Sequence, residues 1–291
     1  MIEAPSIRMR AHRPGFSLVE LLVALVLTAI IGTSLTMLFV TQSRFLEQQQ
    51  KQAFARGVTR SASNIMMSEL RMVDRDSGII AASPTSVTVR VPFAMGVVCG
   101  SAVNTVTFLM FPVDASVYDN GGITGFAYRA GAGASTGYYQ YRATSALPVT
   151  NALSVLCTTA GIAGPAGSVI KQVISTTALS PAPVAGAPLM LYRNVRYHFA
   201  NSTAVPGRQG LYREVDGLDE EIVAPFDASA GFAFFVNDAL ASQSAAPSTA
   251  NLNTLTGLEI KLNSISERPN ADGTYSVVPL TTGVFFKNRR N

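Results

Sequence analysis

An uninterrupted apolar stretch dominates the start of the chain. Residues 21–40 carry no formal charge, and about 20 apolar residues, or ~30 Å of helix, span the hydrocarbon core of a bilayer. The pattern predicts a membrane-crossing helix. Glu20 directly precedes this stretch, and an acid at mid-membrane costs ~2.5–3.5 kcal/mol on insertion scales, less near the interface. Such an acid needs a partner.

The hydrophobic spacing changes after Thr41, but the period remains helical. Apolar residues now recur mostly at steps of three and four, with polar residues between them. They are Phe45, Phe54, Val58, Ala62, Ile65, Met66, Leu70 and Val73. We expect one helix from Phe16 to about Asp76, whose second half lays an apolar face on a globular domain. Residues 32–34 are weak helix formers, at which the helix can bend or unwind.

From Ile79 onward the hydrophobic period is two, which is typical of strands. The predicted strands are residues 86–92, 104–112, 136–142, 168–175, 189–199, 210–215, 231–238, 255–266 and 283–288. Gly-, Ala- and Pro-rich segments between them predict turns and long surface loops. No repeat or linker divides residues 79–291.

The distribution of charge predicts on which side of the membrane each end of the predicted helix lies. The chain has 291 residues, 48% hydrophobic and 14% charged, which excludes a disordered chain and a basic nucleic-acid-binding tail. Three arginines and one glutamate precede residue 16, so the positive-inside rule puts the N-terminus in the cytoplasm and exports the rest. A secretory signal peptide would have a shorter apolar stretch and small residues at a cleavage site. A plain anchor leaves Glu20 unexplained.

The residues around that acid carry a resemblance. The segment GFSLVELL, residues 15–22, resembles the processing and methylation motif of type IV prepilins and type II secretion pseudopilins. The resemblance implies cleavage by a prepilin peptidase between Gly15 and Phe16, and N-methylation of Phe16. It also implies an α+β, pilin-like fold, in which a long N-terminal helix packs on a mostly antiparallel β-sheet domain with long loops.

Electrostatics explains why this family uses an acid there. Cleavage before Phe16 would expose a cationic α-amine. An ammonium and a carboxylate about 4 Å apart gain roughly 4 kcal/mol at an effective dielectric of ~20, which offsets much of the cost of placing both in lipid. We therefore expect Glu20 of one subunit to pair with Phe16 of its neighbour and to set the axial register of assembly.

Later segments resemble the PilW-like minor pilins and the J-type minor pseudopilins. They are residues 210–217, 220–238 and 258–291. No proline lies between Gly15 and Pro84, whereas many major pilins have a helix-kinking proline there. The predicted division is a cleaved leader (1–15), a transmembrane and filament-core helix (16–41), an amphipathic half (42–78) and a β-rich domain (79–291).

The resulting functional hypothesis is a minor pilin of a type IV pilus, in a priming or tip complex. The alternatives are a minor pseudopilin of a type II secretion system and a tip adhesin or DNA-uptake subunit. Its expected partners are other pilins, the prepilin peptidase and the inner-membrane assembly platform. The precursor would cross the inner membrane once before joining a cell-surface pilus or a periplasmic pseudopilus.

The chain has two cysteines, Cys99 and Cys157, and two histidines, His12 and His198. In an exported domain a disulfide between the cysteines is expected, and two buried free thiols are the alternative. Neither a zinc-site spacing nor a nucleotide-binding fingerprint is present. We therefore predict no cofactor and no metal.

Three other chemistries are weaker interpretations. Ser135 lies in a G-x-S-x-G segment, but no acid separates it from His198 and the segment predicts a loop, so we do not predict an enzyme. The acids at 216, 219, 220, 221 and 272 lack EF-hand spacing and predict solvated turns. Arginines and tyrosines alternate enough to suggest nucleic-acid binding as a less favoured possibility. These residues are Arg193, Arg196, Arg208, Arg213, Tyr192, Tyr197 and Tyr212.

Overall fold

The structure is a computed structural model that describes residues 17–75, 77–119, 122–129, 139–144, 149–150, 154–270 and 272–286. The chain divides into two compact units, residues 1–50 and residues 51–291. Each unit is described by itself below.

Helix α1 runs from Leu18 to Leu70. It is unbroken through residues 32–34, where the sequence suggested a bend or local unwinding. It ends before the predicted stop near Asp76, which lies outside the described residues. Met72 and Val73 donate backbone hydrogen bonds to residues three positions earlier, a tightening that is common where an α-helix ends. Val73 is buried beyond the helix end, so its apolar spacing reflects core contact in a turn.

The described residues of the second unit contain thirteen strands, two short helices and one 3₁₀ segment. The strands are β1 (Ile79–Ser83), β2 (Ser86–Ser101), β3 (Thr105–Met110), β4 (Gly125–Arg129), β5 (Tyr139–Ala143), β6 (Val149–Thr150), β7 (Val169–Ile174), β8 (Pro188–Asn201), β9 (Gln209–Val215), β10 (Leu218–Phe226), β11 (Gly231–Val236), β12 (Leu255–Ile265) and β13 (Val277–Phe285). The helices are α2 (Pro112–Asp119) and α3 (Ser154–Thr159), and the 3₁₀ segment is Thr249–Thr254.

Every strand predicted from the sequence overlaps one of these, but the bounds differ. Strand β13 begins at Val277 rather than at Gly283, and β2 continues well past residue 92. The sequence pattern missed β1, β4, β6 and β10. Strand β10 was missed because its second to fourth residues are three consecutive acids, for which a solvated turn was expected.

All strand pairings within the described residues are antiparallel, and they form one sheet. Its order is β11-β12-β10-β9-β8-β2-β3-β7-β6, with β1 on β2, β13 on β12, β4 on β8 and β5 on β4. The α+β architecture implied by the resemblance, a long helix with an antiparallel sheet, is confirmed.

The sheet serves two main hydrophobic cores, and the long strands β2 and β8 contribute to both. In the first core, residues of β2, β8, β9, β11 and β12 pack with the C-terminal part of α1, including Val58, Ala62, Met66 and Leu70. In the second, the other halves of β2 and β8 pack with α2, β3, β4 and β7. The register of β2 against β8 shifts between Pro92 and Ala94, where one core gives way to the other.

Buried polar contacts fasten α1 to the sheet of its own unit. Thr59 and Ser264 are buried, and their hydroxyl oxygens lie 2.7 Å apart. The Ala55 carbonyl oxygen lies 2.7 Å from the Thr59 hydroxyl and 2.8 Å from the Ser264 hydroxyl, so one hydroxyl donates to this carbonyl while the other donates to its partner hydroxyl. Because every polar atom in this contact has a partner, it adds specificity to the packing of α1 on β12 without an unsatisfied buried group.

Candidate functional site

The first turn of α1 positions the acid singled out in the sequence. Ser17 directly precedes the helix, and Glu20 lies three residues later. The Glu20 carboxylate oxygen Oε2 accepts hydrogen bonds from the Ser17 amide, at 3.0 Å, and from the Ser17 hydroxyl, at 3.2 Å. The Glu20 amide donates to Ser17 Oγ at 3.2 Å. These reciprocal bonds form a capping box, which satisfies two amides that a helix start leaves unpaired.

The capping box orients Glu20 as well as starting the helix. It draws the carboxylate back along the axis toward the N-terminal end, where the partial positive charge of the helix favours an anion. Both Ser17 bonds end on Oε2, and among residues 17–75 no donor to Oε1 is found. The sequence interpretation missed Ser17, although its spacing to Glu20 is the standard S-x-x-E signature.

Past this turn, α1 presents an apolar surface that no described residue of its own unit covers. Every residue from 17 to 50 is solvent-exposed. By length and composition alone, α1 is able to cross a membrane, with a mean hydropathy of 2.4 in its most apolar window. This finding fits a membrane-anchored precursor.

The few hydroxyl groups in this stretch satisfy themselves within the helix. The side chains of Thr28, Thr33, Ser34, Thr36 and Thr41 donate to backbone carbonyls three or four residues earlier, at 2.7–3.0 Å. Such bonds leave these five hydroxyls with no need of water, and Ser43 lies beyond the apolar residues 21–40. The surface is therefore compatible with lipid or with the apolar helices of other subunits.

The predicted processing residues Gly15 and Phe16 lie outside the described residues, so cleavage and methylation there stay predictions. The N-terminal segment itself matches the family model of the prokaryotic N-terminal methylation motif over residues 10–36. The match includes Gly15, Phe16, Ser17 and Glu20. It supports a type IV prepilin-like protein of the pilin or pseudopilin type. The family of this motif is structural rather than catalytic, and it suggests assembly with other pilins.

The comparisons carry the resemblance no further than this segment. No curated protein and no solved structure matches the chain at a significant level. The PilW-like and J-type assignments therefore remain hypotheses.

The structure joins the two cysteines. Cys99 on β2 and Cys157 on α3 form a disulfide whose Cα atoms are 4.5 Å apart. Both residues are buried in a small hydrophobic cluster together with Leu109, against which Ile162 and Ile170 pack. The disulfide holds the short helix α3 on one face of the sheet, while α2 packs within the second core on the strands.

A charged network on α1 was missed entirely by sequence reasoning. Glu69 accepts a hydrogen bond from the Tyr197 hydroxyl at 2.6 Å, and its other oxygen accepts from Arg213 Nη2 at 2.7 Å. Burial, followed by the Glu69 carboxylate, raises the pKa of Tyr197. Tyr197 itself is fully buried, so the network links the end of α1 to β8 and β9.

The acidic cluster between residues 216 and 221 is not a solvated turn, which corrects the sequence expectation. Only Asp216 and Gly217 form the turn, with φ of 53° and 80°, and the acids after it lie in β10. Glu221 Oε2 accepts hydrogen bonds from the Thr203 and Ala204 amides, at 2.9 Å and 3.2 Å.

This carboxylate organises the loop between β8 and β9. Burial alone would raise the pKa of Glu221, but the hydrogen bonds from Ser202, Thr203 and Ala204 outweigh it and lower the pKa to about 2. Glu221 is thus an anion bound by the loop that it closes. The arrangement of the loop resembles the anion-binding concavities that consecutive backbone amides form.

In the fold, the three tyrosines of the nucleic-acid hypothesis offer no accessible ring for base stacking. Tyr192, Tyr197 and Tyr212 are all buried, at 3%, 0% and 8% exposure. Base stacking requires an accessible ring face. Arg213 forms an ion pair with Glu69 at 2.7 Å, and Arg196 forms one with Glu214 at 3.0 Å. Arg193 and Arg208 lie over the rings of Phe93 and Tyr275.

His198 belongs to a structural pair. Its Nε2 lies 3.0 Å and 3.1 Å from the two carboxylate oxygens of Asp219, and its ring stacks on Tyr212 with centroids 5.3 Å apart. Ser135 lies outside the described residues. No group of three His, Cys, Asp or Glu side chains suited to a metal occurs in the parts of the chain that the structure describes.

Proposed function

We propose that the chain is a minor pilin of a type IV pilus, acting in a priming or tip complex. One observation carries the proposal: within the methylation motif, an acid is held by a capping box at the start of an exposed apolar helix. The helix joins a bundle of other subunits, and the sheet domain remains outside it.

Assembly is the mechanism. The prepilin peptidase cuts between Gly15 and Phe16 and methylates Phe16, which leaves Phe16 with the new cationic terminus. In the filament, Glu20 receives this amine from a neighbouring subunit through Oε1, while Ser17 retains Oε2. Residues 21–40 supply the packing surface. Contacts of this kind are heterologous and open-ended, as a filament requires.

The proposed segment bounds are 1–15 for the leader, 16–41 for the filament-core helix, 42–78 for the amphipathic half and 79–291 for the outer domain. A large outer domain with two cores, and a helix without proline between Gly15 and Pro84, support a minor rather than a major subunit. A minor pseudopilin shares all these features. Genetic neighbourhood separates the two, since secretion and pilus genes occur in different clusters.

Mass spectrometry of the N-terminus of the protein from native membranes tests the class. We expect a chain that begins at methylated Phe16. A chain that still begins at Met1 in cells with an active prepilin peptidase would contradict the proposal. Deletion of the gene should then reduce the number of pili per cell without stopping synthesis of the major subunit.

A further inference from the structure

Strand β13 lies at an edge of the sheet, and its register shows which groups it leaves free. Among the described residues it pairs only with β12, from Val277 opposite Ile265 to Phe285 opposite Gly257. The Phe286 amide donates to the Thr256 carbonyl in the same ladder. Because hydrogen-bonded pairs alternate in antiparallel strands, even-numbered residues bond to β12. The amides and carbonyls of the odd-numbered residues point away from the sheet.

Natural sheets usually protect such an edge with charges, prolines, a bulge or a covering segment. Strand β13 has no charged residue over its whole length and keeps a regular register against β12, and Pro279 is its single proline. Val277 and Phe285 are 53% and 58% exposed. By contrast, β11 at the other side of β12 is covered. Phe234 exchanges two backbone hydrogen bonds with Gln243.

The free edge of β13 is complementary to itself. When two copies align antiparallel over the full strand, Thr281 lies opposite Thr281 and Val277 lies opposite Phe285. Pro279, the one outward-facing residue without an amide hydrogen, lies opposite Gly283, which has no Cβ to meet the proline ring. Val277 is therefore opposite Phe285, whose ring also contacts that of Phe235 on β11, with centroids 4.8 Å apart. Apolar cross-strand pairs stabilise sheets.

Charge at the two ends of the strand favours the same antiparallel alignment. The sequence after Phe286 contains three basic residues and no acid. The residues between β12 and β13 carry Glu267, Arg268 and Asp272, a net charge of −1. Antiparallel pairing puts the end of β13 that leads into the basic sequence beside the start of β13 in the other copy, which follows the acidic turn, whereas parallel pairing would bring like ends together.

We propose that this edge is an interaction surface for a second copy of the chain, joined through an antiparallel β13–β13 pair with Thr281 on the two-fold axis. The proposal does not depend on the pilin assignment. The pair continues the sheet from one copy into the next and removes both exposed edges.

A cysteine at the axis tests the geometry in the full-length protein. Facing residues of a hydrogen-bonded pair have Cα atoms about 5.5 Å apart, within the roughly 4.4–6.8 Å that a disulfide spans. We expect Thr281→Cys, oxidised in isolated membranes, to form a disulfide-linked dimer of two copies. Thr282→Cys is the matched control, since Thr282 faces residue 280 and its two copies lie ~8 Å apart.

We expect at least five-fold more dimer from Thr281→Cys than from Thr282→Cys. A second experiment mixes differently tagged copies carrying Val277→Cys and Phe285→Cys, in which mixed dimers should exceed either homodimer. Equal dimer yields for Thr281→Cys and Thr282→Cys would overturn the proposal. So would a Thr281→Cys product that contains another protein in place of the second copy.

Discussion

Glu20 has two roles in this account, helix capping and ion pairing, and two substitutions separate them. Glu20→Gln removes the charge but keeps a side-chain oxygen at the third helical position, where glutamine also completes a capping box. Ser17→Ala removes the cap and keeps the charge. The contacts that distinguish the two variants are the three Ser17–Glu20 hydrogen bonds.

The two substitutions should differ in magnitude. Loss of an N-cap costs about 1 kcal/mol, or roughly a five-fold decrease in the population of the capped helix. A carboxylate–ammonium pair about 4 Å apart is worth up to roughly 4 kcal/mol at an effective dielectric of ~20. Even if desolvation cancels a third of this, incorporation into the filament should fall about 100-fold for Glu20→Gln.

The assay compares the processed subunit in sheared filaments with the subunit in membranes, at matched expression and with the other pilins present. N-terminal mass spectrometry of both variants checks that processing is intact. If Ser17→Ala loses as much incorporation as Glu20→Gln does, the helix cap contributes as much to assembly as the charge of Glu20. If Glu20→Gln enters filaments as wild type does, the ion-pair mechanism is refuted.

Two further predictions concern the outer domain. Glu69→Ala should lower the free energy of unfolding by about 3 kcal/mol, because it leaves the buried Tyr197 hydroxyl and Arg213 without their acceptor. Tyr197→Phe should lower it by about 1 kcal/mol. Denaturation of the detergent-solubilised chain, followed by circular dichroism, measures both values. If the losses of stability add fully in the double variant Glu69→Ala/Tyr197→Phe, Glu69 and Tyr197 do not interact. Because the pKa of Glu221 is lowered in the folded state, its contribution to folding stability is complete above about pH 4.5 and is lost as the pH falls toward about 2. Glu221→Gln should flatten the acid dependence of unfolding over that range, and an unchanged slope would contradict the role given to the loop.

Local patterns predicted a large part of this protein. The apolar stretch, the acid before it and the amphipathic continuation define α1, since each is a periodicity or a short-range spacing within one segment. Alternation located most strands for the same reason. The capping box of Ser17 and Glu20 was also readable from four consecutive residues, and overlooking it was an error of interpretation.

The missed strand β10 shows where local reading fails. Three acids in succession carry no period-two pattern, and a turn was the natural expectation. In the fold, Glu221 is paired with a loop that precedes it by 17 to 19 residues. Its strand conformation follows from partners that the surrounding sequence does not reveal.

The sequence by itself determined the kind of elements, the membrane-type helix and the methylation motif. Only the tertiary structure decided which elements meet: Thr59 with Ser264, Glu69 with Arg213, and the exposed outer edge of β13. The physical reason is that periodicity identifies which face of an element is buried. Strand order and register depend instead on contacts between residues that can be 209 positions apart, as Ala55 and Ser264 are. Many pairings satisfy the same hydrophobic pattern, and the packing of both cores selects one of them.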